Sequence, residues 1–539
     1  MYAALSWVPC GSSRLKLPAR PPVNGDGNPA DDHDGAATGL PRSSNIDEEG
    51  LIDVGEILAD DLDTLALFKS NSEDPYLSAN VDANETFDAE ELDDLVVRPT
   101  DALIIAAKSG EDASMLEFHL LEDDAQASDS EESYKPHYYV HHDLVLPTLP
   151  LCTAYTALDI ESSRLNLVAV GCFSPGIDIW DVDRVNVLEP VISLGGYDVD
   201  AVDGDLAEQF NGTGHRAKRS AAKDKRGSAG KKVATKKRSQ PQLRDGSHTD
   251  AVMSLSWNNV QREYLASGSA DSTVKIWDVE SGHCASTLQY HTDKVQSVSW
   301  HPAEDSTLLT GSFDRSVHVV DVRAAAPSCS SWRVRSDIEA CQWGCGPLAG
   351  FLIATTEDGV VYILNRQHAN TIVVEWQAHD GAVSACAQSK DVPGMLVTGS
   401  VDRTVKVWDV RECQDGSTPK LIYERPSKAG AVFAAALRPL STTGQATTES
   451  PFVLAYAGAK GLLVVLDLAI ESEAVRDAFG SHMSTAAGNI MRARVARLRR
   501  GGGNGTNRTQ RNMADDSDED VIDSDCESSD CVGSGSDEI

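Results

Sequence analysis

Aspartate and histidine, which together can act as an acid–base pair, recur at fixed spacing through the middle of the chain. An aspartate stands six residues before a large aromatic or apolar residue in four places, and a histidine stands 29 residues before it in three. The aspartates are Asp271, Asp314, Asp358 and Asp402, and the histidines are His248, His291 and His379. Because chance does not repeat two offsets in this way, the pattern indicates a repeated structural unit rather than one catalytic site.

Other arrangements that carry out chemistry are missing from the sequence. It contains no P-loop, no GxSxG elbow, no HExxH zinc motif and no kinase signature. His141, His142 and Asp143 adjoin one another, as the ligands of a metal site would, but neighbouring residues on a strand point to opposite faces of its sheet. We therefore expect the two histidines not to converge. We predict no metal, no cofactor, no small-molecule substrate and no enzymatic activity.

The elements that position the repeated residues are short strands. The aromatic or apolar residues that follow the aspartates are Trp277, Val320, Leu364 and Trp408, at steps of 43, 44 and 44 residues. In each unit, runs of β-branched and aromatic residues flank a turn that contains the aspartate. Upstream, segments 251–258 and 294–301 alternate apolar and small polar residues, as half-buried strands do. Each unit is thus predicted to form four antiparallel strands that stack on neighbouring units.

These units resemble WD40 repeats, in which His, Ser or Thr, Asp and Trp form a hydrogen-bonded network inside each blade of a β-propeller. The residues that the resemblance assigns to this network are, unit by unit, His248, Ser267, Asp271 and Trp277; His291, Thr310 and Asp314; Asp358; and His379, Thr398, Asp402 and Trp408. The second unit lacks the tryptophan, and the third keeps only the aspartate. A structural role suits these residues, because a shared network pairs several buried polar groups at once.

Relaxed matches extend the repeat to seven units. Their landmark residues are Phe118, Trp180, Trp277, Val320, Leu364, Trp408 and Leu466. Seven blades close a propeller, and closure removes the exposed sheet edges that invite aggregation. Residues 4–8 (ALSWV) resemble the strands that contain Trp257 and Trp300. We therefore predict an all-β, seven-bladed WD40 propeller over residues 99–480, with residues 1–15 supplying a strand of the first blade.

The net charge of −36 over 539 residues is concentrated outside the repeats. Residues 24–97 contain 21 acidic and two basic residues, residues 515–539 contain 11 acidic and no basic ones, and residues 215–244 contain 12 basic residues and one acid. Blocks of like charge cannot bury a core. We predict a disordered acidic arm over 16–98, a disordered basic insertion at about 200–245 and a disordered tail, basic and then acidic, over 481–539. The longest apolar run, 462–470, is far shorter than the roughly 20 residues that cross a bilayer, so no membrane span is expected.

The basic insertion fits three interpretations: a nuclear-import signal, a contact to nucleic-acid phosphates, or a solvated loop. Its clustered basic residues are Lys218, Arg219, Lys223, Lys225, Arg226, Lys231, Lys232, Lys236, Lys237 and Arg238. No aromatic residue is interleaved, so stacking on bases is not offered. Ser128, Ser517 and Ser524 have acidic residues downstream, which is the context of an acidophilic kinase site. A solubilising role without a specific partner is the alternative for the acidic tail.

Segments outside the repeats narrow the resemblance. Residues 138–152 (YYVHHDLVLPTLPLC) and 167–183 (LVAVGCFSPGIDIWDVD), followed by the lysine-rich insertion, look like the periodic tryptophan protein 1 family. That resemblance implies a nuclear and nucleolar protein that supports ribosome biogenesis, through rRNA production and large-subunit assembly. The implied partners are ribosome-assembly proteins and pre-ribosomal particles, with weak RNA contact through the basic insertion.

Two further questions stay open at the level of sequence. The alternative function is a chromatin-bound adaptor that binds histones and regulates polymerase I transcription. A propeller also presents a face of loops, on which the loops before the repeated aspartates would carry Phe173, Phe313 and Val401. Phe173 and Phe313 are the best apolar contact candidates, and the alternative is that they pack within or between blades.

Overall fold

The computed structural model describes the repeated units and leaves the strongly charged segments outside its description. The described residues are 1–10, 12–13, 97–98, 100–110, 113–122, 137–160, 163–185, 187–198, 242–323, 329–440, 449–482, 488–489, 492 and 495. Most of the predicted acidic arm, of the basic insertion and of the predicted tail lies outside this set. Within the described residues, no helix combines the length and the apolarity needed to cross a bilayer.

The first four antiparallel sheets have four strands each, in chain order. Sheet 1 contains β1 (Tyr2–Val8), β2 (Ala102–Ser109), β3 (Ser114–Glu122) and β4 (His137–Leu146). Sheet 2 contains β5 (Pro150–Ile160), β6 (Ser163–Cys172), β7 (Gly176–Asp181) and β8 (Ile192–Gly195). Sheet 3 contains β9 (Val252–Trp257), β10 (Tyr264–Ser269), β11 (Val274–Asp278) and β12 (His283–Leu288). Sheet 4 contains β13 (Val295–Trp300), β14 (Thr307–Ser312), β15 (Ser316–Asp321) and β16 (Cys329–Arg333).

Three more sheets complete the described strands. Sheet 5 contains β17 (Ile338–Trp343), β18 (Phe351–Thr356), β19 (Val360–Asn365) and β20 (Ile372–Gln377). Sheet 6 contains β21 (Ala385–Gln388), β22 (Met395–Gly399), β23 (Thr404–Asp409) and β24 (Lys420–Pro426). Sheet 7 contains β25 (Val432–Leu437), β26 (Val453–Gly458) and β27 (Leu463–Asp467). Short helices are α1 (Leu468–Glu471), α2 (Glu473–Phe479) and 3-10 turns at Gly346–Leu348, Cys413–Asp415 and Gly480–His482.

The seven sheets are the blades of a closed ring. The first strand of each sheet packs against the first strand of the next, from β1 through β5, β9, β13, β17 and β21 to β25. Strand β25 in turn packs against β1, which closes the ring. The predicted seven-bladed, all-β propeller is therefore confirmed. Each of the seven landmark residues lies on the third strand of its blade.

Small residues on the second strand let neighbouring blades approach closely. A Cβ atom at Gly268 would lie 2.8 Å from Cγ1 of Val295 in the next blade, and one at Gly311 would lie 2.8 Å from Cγ2 of Ile338. Side-chain carbons do not pack that closely, so a larger residue would push the blades apart. The recurring Ser-Gly and Thr-Gly pairs of the repeat therefore follow from the packing between blades.

Tryptophans on the inner strands of the first, third and fifth blades join each of these blades to the one before it. Their indole N–H groups donate to inner-strand carbonyls of the preceding blade, Trp257 to Ala154 at 2.9 Å, Trp343 to Ser299 at 3.0 Å and Trp7 to Ala436 at 3.0 Å. Trp7 makes this bond across the seam where the ring closes, between residues 429 positions apart. Strand β1 is thus an inner strand like the others.

The seventh blade differs from the predicted four-strand unit, because it has three strands within the described residues. After β27 the Asp467 side chain accepts a hydrogen bond from the Ala469 backbone N–H at 2.9 Å and begins helix α1. Helix α2 then packs towards the sixth blade, where the Arg411 guanidinium lies 5.0 Å from the buried Phe479 ring. As far as His482, the chain that follows β27 therefore turns away from the outer edge of this strand and does not extend the sheet.

Candidate interaction site on the propeller

The third blade contains a hydrogen-bonded relay of four side chains. Nδ1 of His248 lies 2.9 Å from Asp271, Nε2 lies 2.7 Å from the Ser267 hydroxyl, and the Trp277 indole N–H donates to that hydroxyl at 2.8 Å. One proton assignment pairs every atom: Nδ1–H donates to the carboxylate, and the serine O–H donates to Nε2. Since both ring nitrogens are used inside the blade, the arrangement ties β10 and β11 to the turn between them and to the segment before β9.

The sixth blade repeats this relay with the same geometry. His379 lies 2.9 Å from Asp402 and 2.8 Å from Thr398, whose hydroxyl accepts the Trp408 indole N–H at 2.9 Å. The aspartate of each relay also accepts a hydrogen bond from the turn before the third strand. In the sixth blade the Thr404 backbone N–H donates to Asp402 at 2.8 Å. The relay therefore fixes the turn as well as the sheet.

The fourth blade, which lacks the tryptophan, uses a tyrosine as a substitute. His291 lies 2.9 Å from both Asp314 and Thr310, as in the complete relays. The Tyr290 hydroxyl lies 3.2 Å from the Thr310 hydroxyl, at the place where an indole N–H bonds in the other blades. Tyr290, the neighbour of His291, thus supplies the polar group that Val320, at the position of the tryptophan, lacks. The fifth blade keeps only a local bond, from Thr356 to Asp358.

Burial keeps two of the relay histidines, His248 and His379, neutral by lowering their pKa values. Burial lowers the pKa of His248 and outweighs the opposing effect of Asp271. Burial also opposes ionisation of Asp271, but the bonds from His248 and Thr273 hold the pKa of this carboxyl well below its usual range. The relay is therefore a neutral imidazole bonded to a carboxylate, with His248 fully buried. This arrangement stabilises a blade and presents no reactive group to solvent.

One end of the ring, here called the loop face, carries the predicted contact residues. It consists of the turns between the second and third strands and the segments just before each inner strand. Backbone N–H groups tie the two together, Phe173 to the Leu149 carbonyl at 2.8 Å, Phe313 to Lys294 at 3.0 Å and Val401 to Ala382 at 3.0 Å. Phe173 is 66% exposed and Val401 44%, whereas Phe313 is half-buried. Phe173 is thus the most exposed of the three predicted contact residues.

Phe173 borders an open apolar pocket on this face. The pocket has a volume of about 410 Å³ and is lined by Thr148, Leu149, Phe173 and Ser174. Leu149 is itself 37% exposed. Large apolar side chains that stay exposed at a concave site are typical of binding surfaces. The residues before β5 and after β6 therefore form the candidate interaction site.

The adjacent histidines of β4 converge, and the expectation that they point apart is wrong. Pairing with β3 shifts register between Phe118 and His119, so that His141 is the extra residue of a β-bulge. The two Nδ1 atoms lie 2.9 Å apart, and the His142 ring stacks on Phe118 at 4.2 Å between centroids. No third His, Cys, Asp or Glu joins them in a metal-binding cluster within the described part of the chain. His142 is a buried core residue.

Replacing His142 with phenylalanine is expected to make stability less sensitive to acid. Burial, and then the neighbouring His141, lower the pKa of His142 to about 4. In the unfolded chain the group titrates near 6.5, so between these values protons bind preferentially to the unfolded state and stability falls as pH falls. By linkage, His142 lowers the free energy of unfolding by about 2 kcal/mol as the pH falls from 7 to 5. His142→Phe should recover that difference in urea unfolding.

His283→Phe is the matched control, since His283 is an exposed residue of the outer strand β12. It should leave the difference in stability between pH 7 and pH 5 as it is in the wild type. Parallel pH profiles for the wild type and His142→Phe would show that burial does not perturb this group.

Comparison with known proteins assigns the chain to a family. Residues 230–303 match the model for the WD40 domain of anaphase-promoting complex subunit 4, and residues 370–409 match the WD domain, G-beta repeat. An uncharacterized WD repeat-containing protein of Schizosaccharomyces pombe is 37% identical over 424 residues, which cover 78% of this chain and 70% of that protein. Periodic tryptophan protein 1 homolog of Drosophila melanogaster is 28% identical over 420 residues, 76% of this chain and 78% of that protein. Periodic tryptophan protein 1 of Saccharomyces cerevisiae is 28% identical over 425 residues, 73% of this chain and 68% of that protein. The chain belongs to the periodic tryptophan protein 1 family.

As a member of the periodic tryptophan protein 1 family, the chain is a WD40-repeat scaffold. Sequence reasoning missed two groups of residues that hold this scaffold together. The inner-strand tryptophans were visible as the repeated Ser-Trp pairs at Trp7, Trp257 and Trp300, but nothing local showed that some of them bond across blade seams. Tyr290 had no signal beyond its position next to His291.

Several predicted site residues lie outside the described residues. They are the basic cluster Lys218, Arg219, Lys223, Lys225, Arg226, Lys231, Lys232, Lys236, Lys237 and Arg238, and the serines Ser128, Ser517 and Ser524. The described chain on either side of the basic insertion is paired, since Tyr197 bridges Leu243 in antiparallel fashion. The Asp198 backbone N–H also donates to the Gln242 carbonyl at 2.7 Å. The insertion therefore begins and ends at one point, between the second and third blades.

Proposed function

We propose that this protein is a non-enzymatic scaffold of the nucleus and nucleolus that supports ribosome biogenesis through protein–protein contacts. Its partners are ribosome-assembly proteins and pre-ribosomal particles, and its contribution is to rRNA production and large-subunit assembly. Membership of the periodic tryptophan protein 1 family supports the proposal, because the resemblance of residues 138–152 and 167–183 to that family implies this role. The basic insertion supports nuclear import, and it adds weak contact to RNA.

The observation that carries the contact surface is the exposed pair Phe173 and Leu149 at the pocket of the loop face. An aromatic residue at an apolar pocket is the kind of position from which an interface gains most of its binding energy. A closed ring holds these loops on a rigid scaffold, and binding residues are commonly carried on loops of that kind. We therefore assign partner binding to this pocket.

The absence of enzymatic activity is proposed from the state of the repeated histidines. His248, His291 and His379 are buried, and each uses both ring nitrogens in bonds within its own blade. A general base needs a nitrogen within reach of a substrate proton. None of these three histidines offers one.

A double substitution, Phe173→Ser with Leu149→Ser, tests the contact surface in tagged full-length protein expressed in cells. Crosslinking followed by purification, mass spectrometry and RNA sequencing should recover assembly proteins and pre-ribosomal RNA with the wild type. The double variant should recover about tenfold less of both, because an apolar hot spot contributes of the order of 2 kcal/mol or more. Its melting temperature should stay near the wild-type value, since both residues are exposed.

Val260→Ser is the matched control, since Val260 is 53% exposed and lies between β9 and β10, at the opposite end of the ring. It should recover the same partners as the wild type. Histones without any assembly protein would contradict the proposal and favour a chromatin adaptor of polymerase I transcription. Unchanged recovery of partners with the double variant would show that they bind at another surface.

A further inference from the structure

The seventh blade leaves room for one more strand. In the part of the chain that the structure describes, its sheet ends at β27, whereas each of the other six blades has a fourth, outer strand. On one side of the gap, apolar residues of α1 and α2 pack in one core cluster with residues of the sixth and seventh blades. On the other side stands β4, the outer strand of the first blade. The outer edge of β27 is thus flanked by two neighbours without being extended by either.

The backbone of β27 presents its hydrogen-bonding groups to this gap. Leu463 and Val465, two positions apart on the strand, point to the same edge, as alternate residues of an antiparallel strand do. The Tyr138 hydroxyl from β4 donates to the Leu463 carbonyl at 2.7 Å and also hydrogen-bonds the Val465 backbone. One side chain therefore occupies the groups with which a fourth strand would pair.

The β4 strand shows apolar side chains on the face that carries Tyr138. Register with β3 places Tyr138, Val140, Asp143 and Val145 on this face, opposite Leu121, His119, Glu117 and Met115. Val140 is 47% and Val145 65% exposed. By comparison, the outer strands β20 and β24 each expose one large apolar residue, Ile372 and Leu421, and β12 exposes none. Two exposed valines on the face from which Tyr138 reaches the edge of β27 are a surface on which an added strand would bury apolar area.

Charge identifies the occupant as a basic segment. Asp143 lies between the two valines on this face and is exposed. Among the chain's own charged segments, residues 24–97 and 515–539 have 21 and 11 acidic residues. The stretch that follows α2, residues 483–511, has seven arginines and no acidic residue, but the residues described there, 488, 489, 492 and 495, are helical. The basic residues 215–244 are inserted between the second and third blades. Like charges on facing strands destabilise a pair, whereas a Lys or Arg opposite an Asp stabilises it. The chain's own acidic segments are therefore poorer occupants than a basic strand from another protein.

We propose that the outer edge of β27 accepts a β-strand from a basic partner protein, which completes the seventh blade. Its backbone pairs with Leu463 and Val465, its alternate apolar residues cover Val140 and Val145, and a Lys or Arg faces Asp143. Tyr138 holds the edge in the absence of the partner and is displaced when the strand binds. This inference concerns a site away from the pocket of Phe173 and does not depend on the nucleolar role.

The test uses the purified full-length protein and a labelled peptide of about ten residues, the length of a long strand, with alternating valine and lysine. Binding is measured by fluorescence anisotropy at physiological salt. A peptide with N-methylated amides keeps the charge but cannot pair with a sheet edge, so it should bind about tenfold more weakly. Equal binding of the two peptides would reduce the interaction to charge attraction and overturn the proposal.

Three variants of the protein distinguish this edge from others. Val465→Pro removes the outward N–H without touching the pairing with β26, and should weaken binding of the valine–lysine peptide about tenfold. Tyr138→Phe removes the hydroxyl that competes for the edge, and should strengthen binding severalfold. Val140→Ser with Val145→Ser should weaken it, while the matched change Ile372→Ser on the outer strand β20, at a residue 37% exposed, should leave it unchanged.

Circular dichroism of each variant shows whether the proline disturbs the fold. If it does, Tyr138→Phe and the double valine variant still test the same edge. Wild-type affinity in both of these would overturn the proposal. A rise in affinity on removal of residues 483–539 would assign the edge to the chain's own tail and would equally overturn it. None of these outcomes bears on recovery of partners through Phe173, so the two proposals fail separately.

Discussion

Replacing Trp7 with alanine is expected to lower the free energy of unfolding by about 3–5 kcal/mol, the range for removal of a buried tryptophan. Trp7 is 8% exposed and packs between the first and seventh blades, where its indole N–H donates to Ala436. The change would open a cavity and leave a seam carbonyl without its donor. Urea denaturation followed by circular dichroism measures the effect. Because Trp7 lies where the first and seventh blades meet, the measurement tests how much ring closure stabilises the protein.

Two further variants separate the parts of this effect. Trp7→Phe keeps most of the apolar contact and loses the N–H, so its cost should be about 1–3 kcal/mol. Leu421→Ala, at a residue of β24 that is 42% exposed, should cost less than about 1 kcal/mol. A Trp7→Ala protein as stable as the wild type would mean that β1 contributes nothing to the closure of the ring.

Replacing Asp271 with alanine is expected to destabilise the protein by about 3–5 kcal/mol, because it leaves several donors without an acceptor and each buried donor left unpaired costs about 1–3 kcal/mol. The carboxylate accepts from His248, from the Thr273 hydroxyl and from the backbone N–H groups of Thr249 and Thr273. Its loss would leave a buried imidazole N–H and the turn before β11 unpaired. Thermal and urea unfolding should both show the loss.

Asp358→Ala is the matched control, because Asp358 occupies the same place in the fifth blade without a histidine. Its one side-chain partner is the Thr356 hydroxyl, and the residue is exposed. The cost should be about 1 kcal/mol, the net contribution of one hydrogen bond. Equal losses at Asp271 and Asp358 would contradict the view that the relay, rather than the turn alone, stabilises a blade.

The number of blades and the residues of each relay could be read from the sequence because both depend on local order. A strand shows its period within a few residues, and a unit that repeats every 43 or 44 residues must repeat its structure. The landmark residues, from Phe118 to Leu466, therefore all lie on third strands. The Ser-Trp pair at Trp7 likewise placed the first strand within the first blade.

The tertiary structure alone determined the features whose pairing partners are distant in the sequence. The bulge that turns His141 towards His142 depends on the register between β3 and β4. Tyr290 replaces a missing indole because it lies beside Thr310 across the blade. The described part of the seventh blade ends at its third strand, and the Tyr138 hydroxyl that bonds the edge of this strand comes from the first blade, more than 300 residues away in the sequence. Local periodicity determines strands, but register and contacts between blades are chosen by packing and by the pairing of buried polar groups, which no short stretch of sequence contains.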